Sequence, residues 1–228
     1  MTISKILGRL LVGIAATFTL ATPAQAALQA RDLNGDTVTD AYFDTDRNIT
    51  WLRDANVNGL MTWAAANTWA AGYSIGIYDD WRLPTVVQPD AACSDSFDAG
   101  GSMGIQSFGL NCTGSEMGHL WYTELGNTAG SFTNDGDFLN MQSFVYWSGT
   151  EYALFPSYAW GFDTGGGTQF ADNEYVQLYA MAVRPGDVRT AQVPEPESLL
   201  LALTALGTLA LVRRRAAIGR KCHGSTCR

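Results

Sequence analysis

The chain has 228 residues, with 22 acidic and 14 basic side chains and a net charge of −8. The balance is steeper between Ala27 and Val193, where 20 carboxylates face six arginines and no lysine, a net of −14. Such a surface repels phosphate backbones, which excludes nucleic acid as a partner. A single histidine in that span, His119, leaves few ways to assemble a nucleophilic or acid–base triad.

The first 26 residues read as a signal peptide. Lys5 and Arg9 are its positive start, Leu10 to Ala21 its apolar core, and Ala24-Gln25-Ala26 the small-residue exit that signal peptidase cuts. An apolar run of about a dozen residues is short for a hydrocarbon core roughly 30 Å thick, so cleavage after Ala26 is expected rather than anchoring. Residues 27–190 then form one domain with a sizeable core.

Asn34-Gly35, set between Ala27–Leu33 and Thr37–Phe43, predicts a two-residue β-hairpin. The same stretch carries Asp32, Asn34, Asp36 and Asp40 at positions 1, 3, 5 and 9 of a candidate calcium loop, the alternation of oxygen ligands that a hard cation needs. Glycine stands at position 4 rather than 6, and Phe43 occupies position 12, so an acid-decorated hairpin explains the same letters. Calcium held here would bind in the weak range of roughly 10⁻⁴ to 10⁻³ M.

A turn over Asp44–Asn48 leads into Ile49–Leu52. A helix is predicted from Trp63 to Ala71, with Thr62 as N-cap and Gly72 as its stop. Trp63, Ala66 and Ala70 share one narrow face suited to close packing on a sheet. Asp79, Asp80 and Arg82 form either a structural pairing group or a ligand-facing charge cluster, and Pro84 holds Leu83 extended. Cys93 and Cys112 are the exported part's only cysteines and flank a Gly- and Ser-rich loop. In an oxidising compartment they are expected to form a disulfide, whose closure is worth roughly 3 kcal/mol in the loop-entropy picture. A redox pair is the alternative, although no basic neighbour is present to lower a thiol pKa.

A second helix is predicted from Glu116 to Leu125, capped by Ser115 and stopped by Gly126, with Met117, Leu120, Trp121 and Leu125 as its apolar stripe. His119 lies opposite that stripe, which predicts a solvated face. General base or metal ligand is the functional alternative. From Phe144 the period changes to two. Val145–Thr150, Tyr158–Asp163, Thr168–Phe170 and Val176–Val183 read as strands, with Gly165-Gly166-Gly167 as a hairpin turn. Early hairpin, two short helices and a late meander give an α+β domain.

Val193-Pro194-Glu195-Pro196 precedes the apolar run Leu199–Val212, which is followed by Arg213-Arg214-Arg215. As a helix the run spans about 21 Å at 1.5 Å per residue. It is apolar on all sides apart from Thr204 and Thr208, and three arginines in a row are how a stop at the cytoplasmic face looks, so a transmembrane helix within residues 191–215 is expected. These three parts resemble the PEP-CTERM sorting signal, which implies an exosortase-type membrane protease as a partner. The tail 216–228, with Cys222, His223 and Cys227, departs from that pattern, since such signals end soon after the arginines. Two thiols and one imidazole do not make a closed zinc site.

Ile49-Thr50-Trp51, Tyr78-Asp79-Asp80-Trp81-Arg82-Leu83-Pro84-Thr85, Tyr146-Trp147-Ser148-Gly149-Thr150-Glu151-Tyr152, Ala159-Trp160 and Ala182-Val183-Arg184 occur in that order. The series resembles the Lcl C-terminal domain family over roughly Tyr42 to Val188. The resemblance implies a C-type-lectin-like fold, and implies binding of glycans or surfaces more loosely, because a fold does not fix a function. Trp147, Glu151, Trp160 and Asp163 are the candidate glycan-facing group, since aromatic faces stack on sugar rings and carboxylates accept from hydroxyls. The bland alternative is that both tryptophans fill the core. Calcium-dependent lectins place sugar on an E-P-N or Q-P-D motif; neither is read in this chain, which weakens a lectin-type sugar site. No catalytic residue is assigned. The expected protein is an exported binding module for polysaccharide or another envelope component, anchored by its C-terminal helix before processing. A structural matrix protein without a discrete ligand and a carboxylate-based enzyme on the same fold are the alternatives.

Overall fold

The computed structural model describes residues 28–188. The expected signal peptide with its Ala26 exit, the Val193–Pro196 motif, the apolar run Leu199–Val212 expected to be a helix, Arg213–Arg215 and the cysteine-containing tail lie outside the described residues. Among the described residues no helix is long and apolar enough to cross a membrane.

The architecture is α+β, with short helices between small antiparallel sheets. Strands β1 (Leu28–Arg31), β2 (Ala41–Asp44), β3 (Ile49–Leu52) and β9 (Val183–Pro185) form one sheet in the order β1-β2-β3-β9. Strands β4 (Asp95–Asp98) and β5 (Ile105–Phe108) pair as a hairpin. A meander of β6 (Val145–Glu151), β7 (Tyr158–Asp163) and β8 (Thr168–Asn173) forms the third sheet. The glycine run turns it as predicted: the Gly167 N–H donates to the Asp163 carbonyl, and Gly167 has φ +78°, a conformation that favours glycine. The expected strand Val176–Val183 is instead an extended segment with single bridges from Leu178 to Met61 and from Tyr179 to Tyr146, and only β9 pairs continuously.

Helix α1 (Trp63–Gly72) packs Ala66 and Ala70 against Trp147, Ala159 and Leu178. Small residues let it approach the β6–β8 sheet closely. Helix α2 (Glu116–His119) runs on through a π-helical turn, Leu120–Glu124, and the Leu125 N–H reaches back to the Leu120 carbonyl. The predicted stripe of Met117, Leu120, Trp121 and Leu125 is buried with Trp51, Tyr146 and Phe162. Ser115 occupies the N-cap position, but its hydroxyl accepts the Val87 N–H rather than capping the helix. Gly118 sits against the Cys112 carbonyl, leaving no room for a Cβ.

His119 is not on a solvated face. All four residues of α2 are buried, because the helix is central: one side faces the aromatic core, Glu116 faces Arg82, and His119 faces the end of β2. The two-residue hairpin at Asn34-Gly35 is also absent. Strand β1 pairs with β2 from Arg31 opposite Ala41, so nine residues, Asp32–Asp40, form the connection.

The charged block after residue 78 is structural. Arg82 makes two 2.7 Å bonds to Glu116, whose carboxylate also accepts the Thr85 N–H. Arg184 binds Asp80 at 2.6 and 3.0 Å and lies over the Tyr78 ring. The Cys93–Cys112 disulfide closes the loop that carries β4 and β5.

Candidate functional site

An apolar basin of about 400 Å³ opens at the surface. Its walls are Phe97 and Phe108 from the β4–β5 hairpin, Tyr152, Phe155, Tyr158 and Trp160 from the β6–β7 connection and β7, and Phe170 from β8. Seven aromatic side chains around one depression is unusual for a chain with so acidic a surface. Phe97 and Phe155 are well exposed, at 43% and 58%. The rings meet edge-on or tilted, with Tyr152 and Trp160 centroids 5.0 Å apart and Tyr152 and Phe155 6.1 Å apart. An exposed aromatic depression of this kind is a candidate binding site.

The hairpin is held in place by Gln169, fully buried on β8, whose amide donates to the Ser107 carbonyl. Paired backbone bonds between Gly109 and Gln169 add a second seam. The disulfide closes the loop at its base. The basin is therefore assembled from parts some fifty residues apart.

Trp160 also floors a second depression of about 450 Å³, lined by Gln88, Ser102, Met103, Gln106, Thr150 and Glu151 among others. This half is more polar than the aromatic basin and carries a carboxylate. The Glu174 carboxyl is pushed up, first by desolvation and then by the charge of Glu151, which places both acids at this end of the sheet.

Gln88-Pro89-Asp90 spells the Q-P-D triplet, which corrects the expectation that the chain lacks it. The Gln88–Pro89 peptide bond is cis. The side chains, however, are engaged within the fold. The Gln88 amide bonds both the N–H and the carbonyl of Ser107, at 2.6 and 2.7 Å. The buried Asp90 carboxylate accepts the N–H groups of Ala92 and Gly114. In this chain the triplet fastens the disulfide loop.

The acidic connection Asp32–Asp40 is organised by its own backbone. Asp32 accepts the amides of Asn34, Gly35 and Thr37, Asp36 accepts that of Val38, and Asp40 accepts that of Leu33. These bonds, that from Thr37 first, hold the Asp32 carboxyl below its ordinary value. Carboxylate oxygens of Asp32, Asp36 and Asp40 lie within 4.8 Å of one another. Asn34 is bonded to Asp36 through both its amide atoms.

The four sequence-derived ligand residues do not converge. Trp147 is fully buried, and its indole N–H donates to the Met61 carbonyl. Asp163 lies at the far end of β7, where its carboxylate accepts the Gly165 N–H and stabilises the turn. Glu151 and Trp160 do meet, in the polar depression. Phe97, Phe108, Tyr152, Phe155 and Phe170 were missed. Their only local signal is the density of aromatics between 152 and 160, and the contribution of the β4–β5 hairpin is tertiary. No protein-family model matches the chain, and a search of the curated proteins finds no match.

Proposed function

We propose that this chain is an exported, non-enzymatic binding module of the cell envelope that holds polysaccharide in the joined depressions on either side of Trp160. The observation that carries this reading is the aromatic basin beside a polar one containing Gln106, Thr150 and Glu151. Sugar rings present apolar C–H faces and hydroxyl edges, and the two halves offer a surface for each. The family resemblance supports a C-type-lectin-like body, as does the gathering of strands from the two ends of the domain in one sheet, ordered β1-β2-β3-β9. The sorting-signal resemblance supports anchoring by the Leu199–Val212 helix followed by exosortase-type processing.

The test is titration calorimetry of the purified protein against matrix polysaccharide, with and without calcium, alongside Phe155→Ala and Tyr152→Ala. Each variant is expected to weaken binding at least tenfold with little loss of fold, since Phe155 is largely exposed. Wild-type affinity in both variants, or no binding by the wild type in either condition, overturns the reading. Mass spectrometry of the mature C-terminus in each cell fraction tests the address separately.

A second reading is a matrix protein that associates through cation bridges. The converging carboxylates of Asp32, Asp36 and Asp40 on an exposed loop favour it. Calcium-induced assembly without saturable sugar binding would select it.

A further inference from the structure

Away from the basin, three ligand-type side chains converge in the interior. Asp44 ends β2, His119 ends α2 and Glu124 ends the π-turn. One ligand atom from each lies within 4.8 Å of the others. His119 Nε2 is 3.0 Å from Glu124 Oε1 and 3.9 Å from Asp44 Oδ2. The side chains are 11%, 2% and 0% exposed, respectively. Asp44 Oδ1 accepts the N–H groups of Asp46 and Arg47, which aims the other oxygen inward. That inward oxygen, Oδ2, has no hydrogen-bond partner. It is the only carboxylate oxygen among the buried side-chain atoms that lack a hydrogen-bond partner in the described residues.

A fully buried, unpaired carboxylate oxygen is costly unless a cation compensates it. Among the described residues, the ion pairs of Asp44 and Glu124 are with His119 alone. Arg47, whose backbone N–H bonds Asp44, directs its guanidinium to the carbonyls of Thr113 and Gly114. With both carboxylates ionised, one imidazole cannot neutralise the group, and desolvation followed by the charge of Asp44 pushes the Glu124 carboxyl up.

The helix geometry is fitted to this cluster. Side chains five apart on an α-helix point about 140° from each other, at about 100° per residue. The π-turn between His119 and Glu124 reduces that angle and brings both onto the side facing Asp44. Such turns recur at functional sites. A cavity of about 180 Å³ lined by Tyr42, Glu124 and Asn134, among others, reaches Glu124 and offers an approach with room for water.

We propose that Asp44, His119 and Glu124 bind a divalent transition-metal ion of the zinc class, completed by water from the adjoining cavity. One borderline nitrogen and two carboxylate oxygens suit that class better than calcium, which prefers six or more oxygens. The ion ties β2 to the helix through the core, a site separate from the acidic surface loop.

The test is titration of cobalt(II) into the full chain carrying Cys222→Ser and Cys227→Ser, so that the tail thiols cannot contribute. Visible d–d absorption saturating at one equivalent is expected, with displacement by zinc. Zinc at a hundredfold excess over Kd should raise Tm by at least about 5 °C. Both signals should vanish in Asp44→Asn and in His119→Gln, and survive in Asp32→Asn. If Asp44→Asn does not fold, His119→Gln and Glu124→Gln carry the test, with near-ultraviolet circular dichroism confirming their folds. Absence of both signals in the parent chain, their persistence in His119→Gln, or their loss only in Asp32→Asn would each overturn the proposal.

Discussion

The Asp32–Asp40 loop and the Asp44–His119–Glu124 cluster use the same functional groups, four residues apart at their nearest point, under opposite conditions. In the loop, carboxylates are exposed or half-exposed and hydrogen-bonded to backbone amides of the same nine-residue segment, so the arrangement is complete without any partner. In the interior, one carboxylate oxygen is fully buried and unmatched, and the cluster draws its members from three separate elements. The loop can gain a cation at little cost or benefit to the fold. The cluster cannot be indifferent to one. Burial, rather than the number of acids, decides which group needs a counter-charge.

The sharpest way to break that distinction uses a third carboxylate, also buried but fully paired. Glu116→Ala leaves Arg82 and the Thr85 amide without their acceptor and should cost about 3 kcal/mol in urea denaturation. A loss below about 1 kcal/mol would mean that burial is not setting the energies here. Next in size, metal-free Asp44→Asn should be more stable than the parent chain by about 1 kcal/mol, because a neutral amide replaces an unpaired buried charge. With zinc present the order should reverse. Asp36→Asn in the loop should change metal-free stability by under about 0.5 kcal/mol, while removing any calcium-induced rise in Tm.

The smallest effect is a pH effect. Arg184 hydrogen-bonds hold the Asp80 carboxyl below its ordinary value of 3.8. A depressed folded-state pKa contributes stability that is present above 3.8 and is lost as pH falls through the depressed value. Asp80→Asn should therefore flatten part of the acid limb of the stability profile, by under about 1 kcal/mol because the pair is partly exposed.

The sequence made the local parts of this fold legible. Period-two patterning located β6 and β7, and alanines and an apolar stripe located the packed faces of both helices. Two failures share a cause. Asn34-Gly35 signals a tight hairpin, but the Asp32 and Asp40 side chains capture backbone amides across a wider loop, and that competition is invisible to a turn rule. His119 sits opposite the apolar stripe at helical spacing, yet a helix covered on every side has no solvated face, and the π-turn redirects the residues after it. The aromatic basin was only half legible. Glu151 and Trp160 could be picked out as polar and aromatic neighbours of a strand turn, whereas Phe97 and Phe108 arrive from a hairpin inside what reads as an irregular loop.

The position of β9 has a mechanical consequence. Strand β9 pairs with β3 on one side, where the Leu52 N–H donates to the Ala182 carbonyl, and on the other side Val183 exchanges both its backbone bonds with Arg82. Just beyond it, Asp187 clasps Arg31, and Gly186 is gripped by Thr50 and Asn48. A pull applied to anything attached after Val188 is thus shared among three separate stretches of chain before it can reach the meander. Those three stretches are distinct from the β6–β8 meander, which carries most of the aromatic basin.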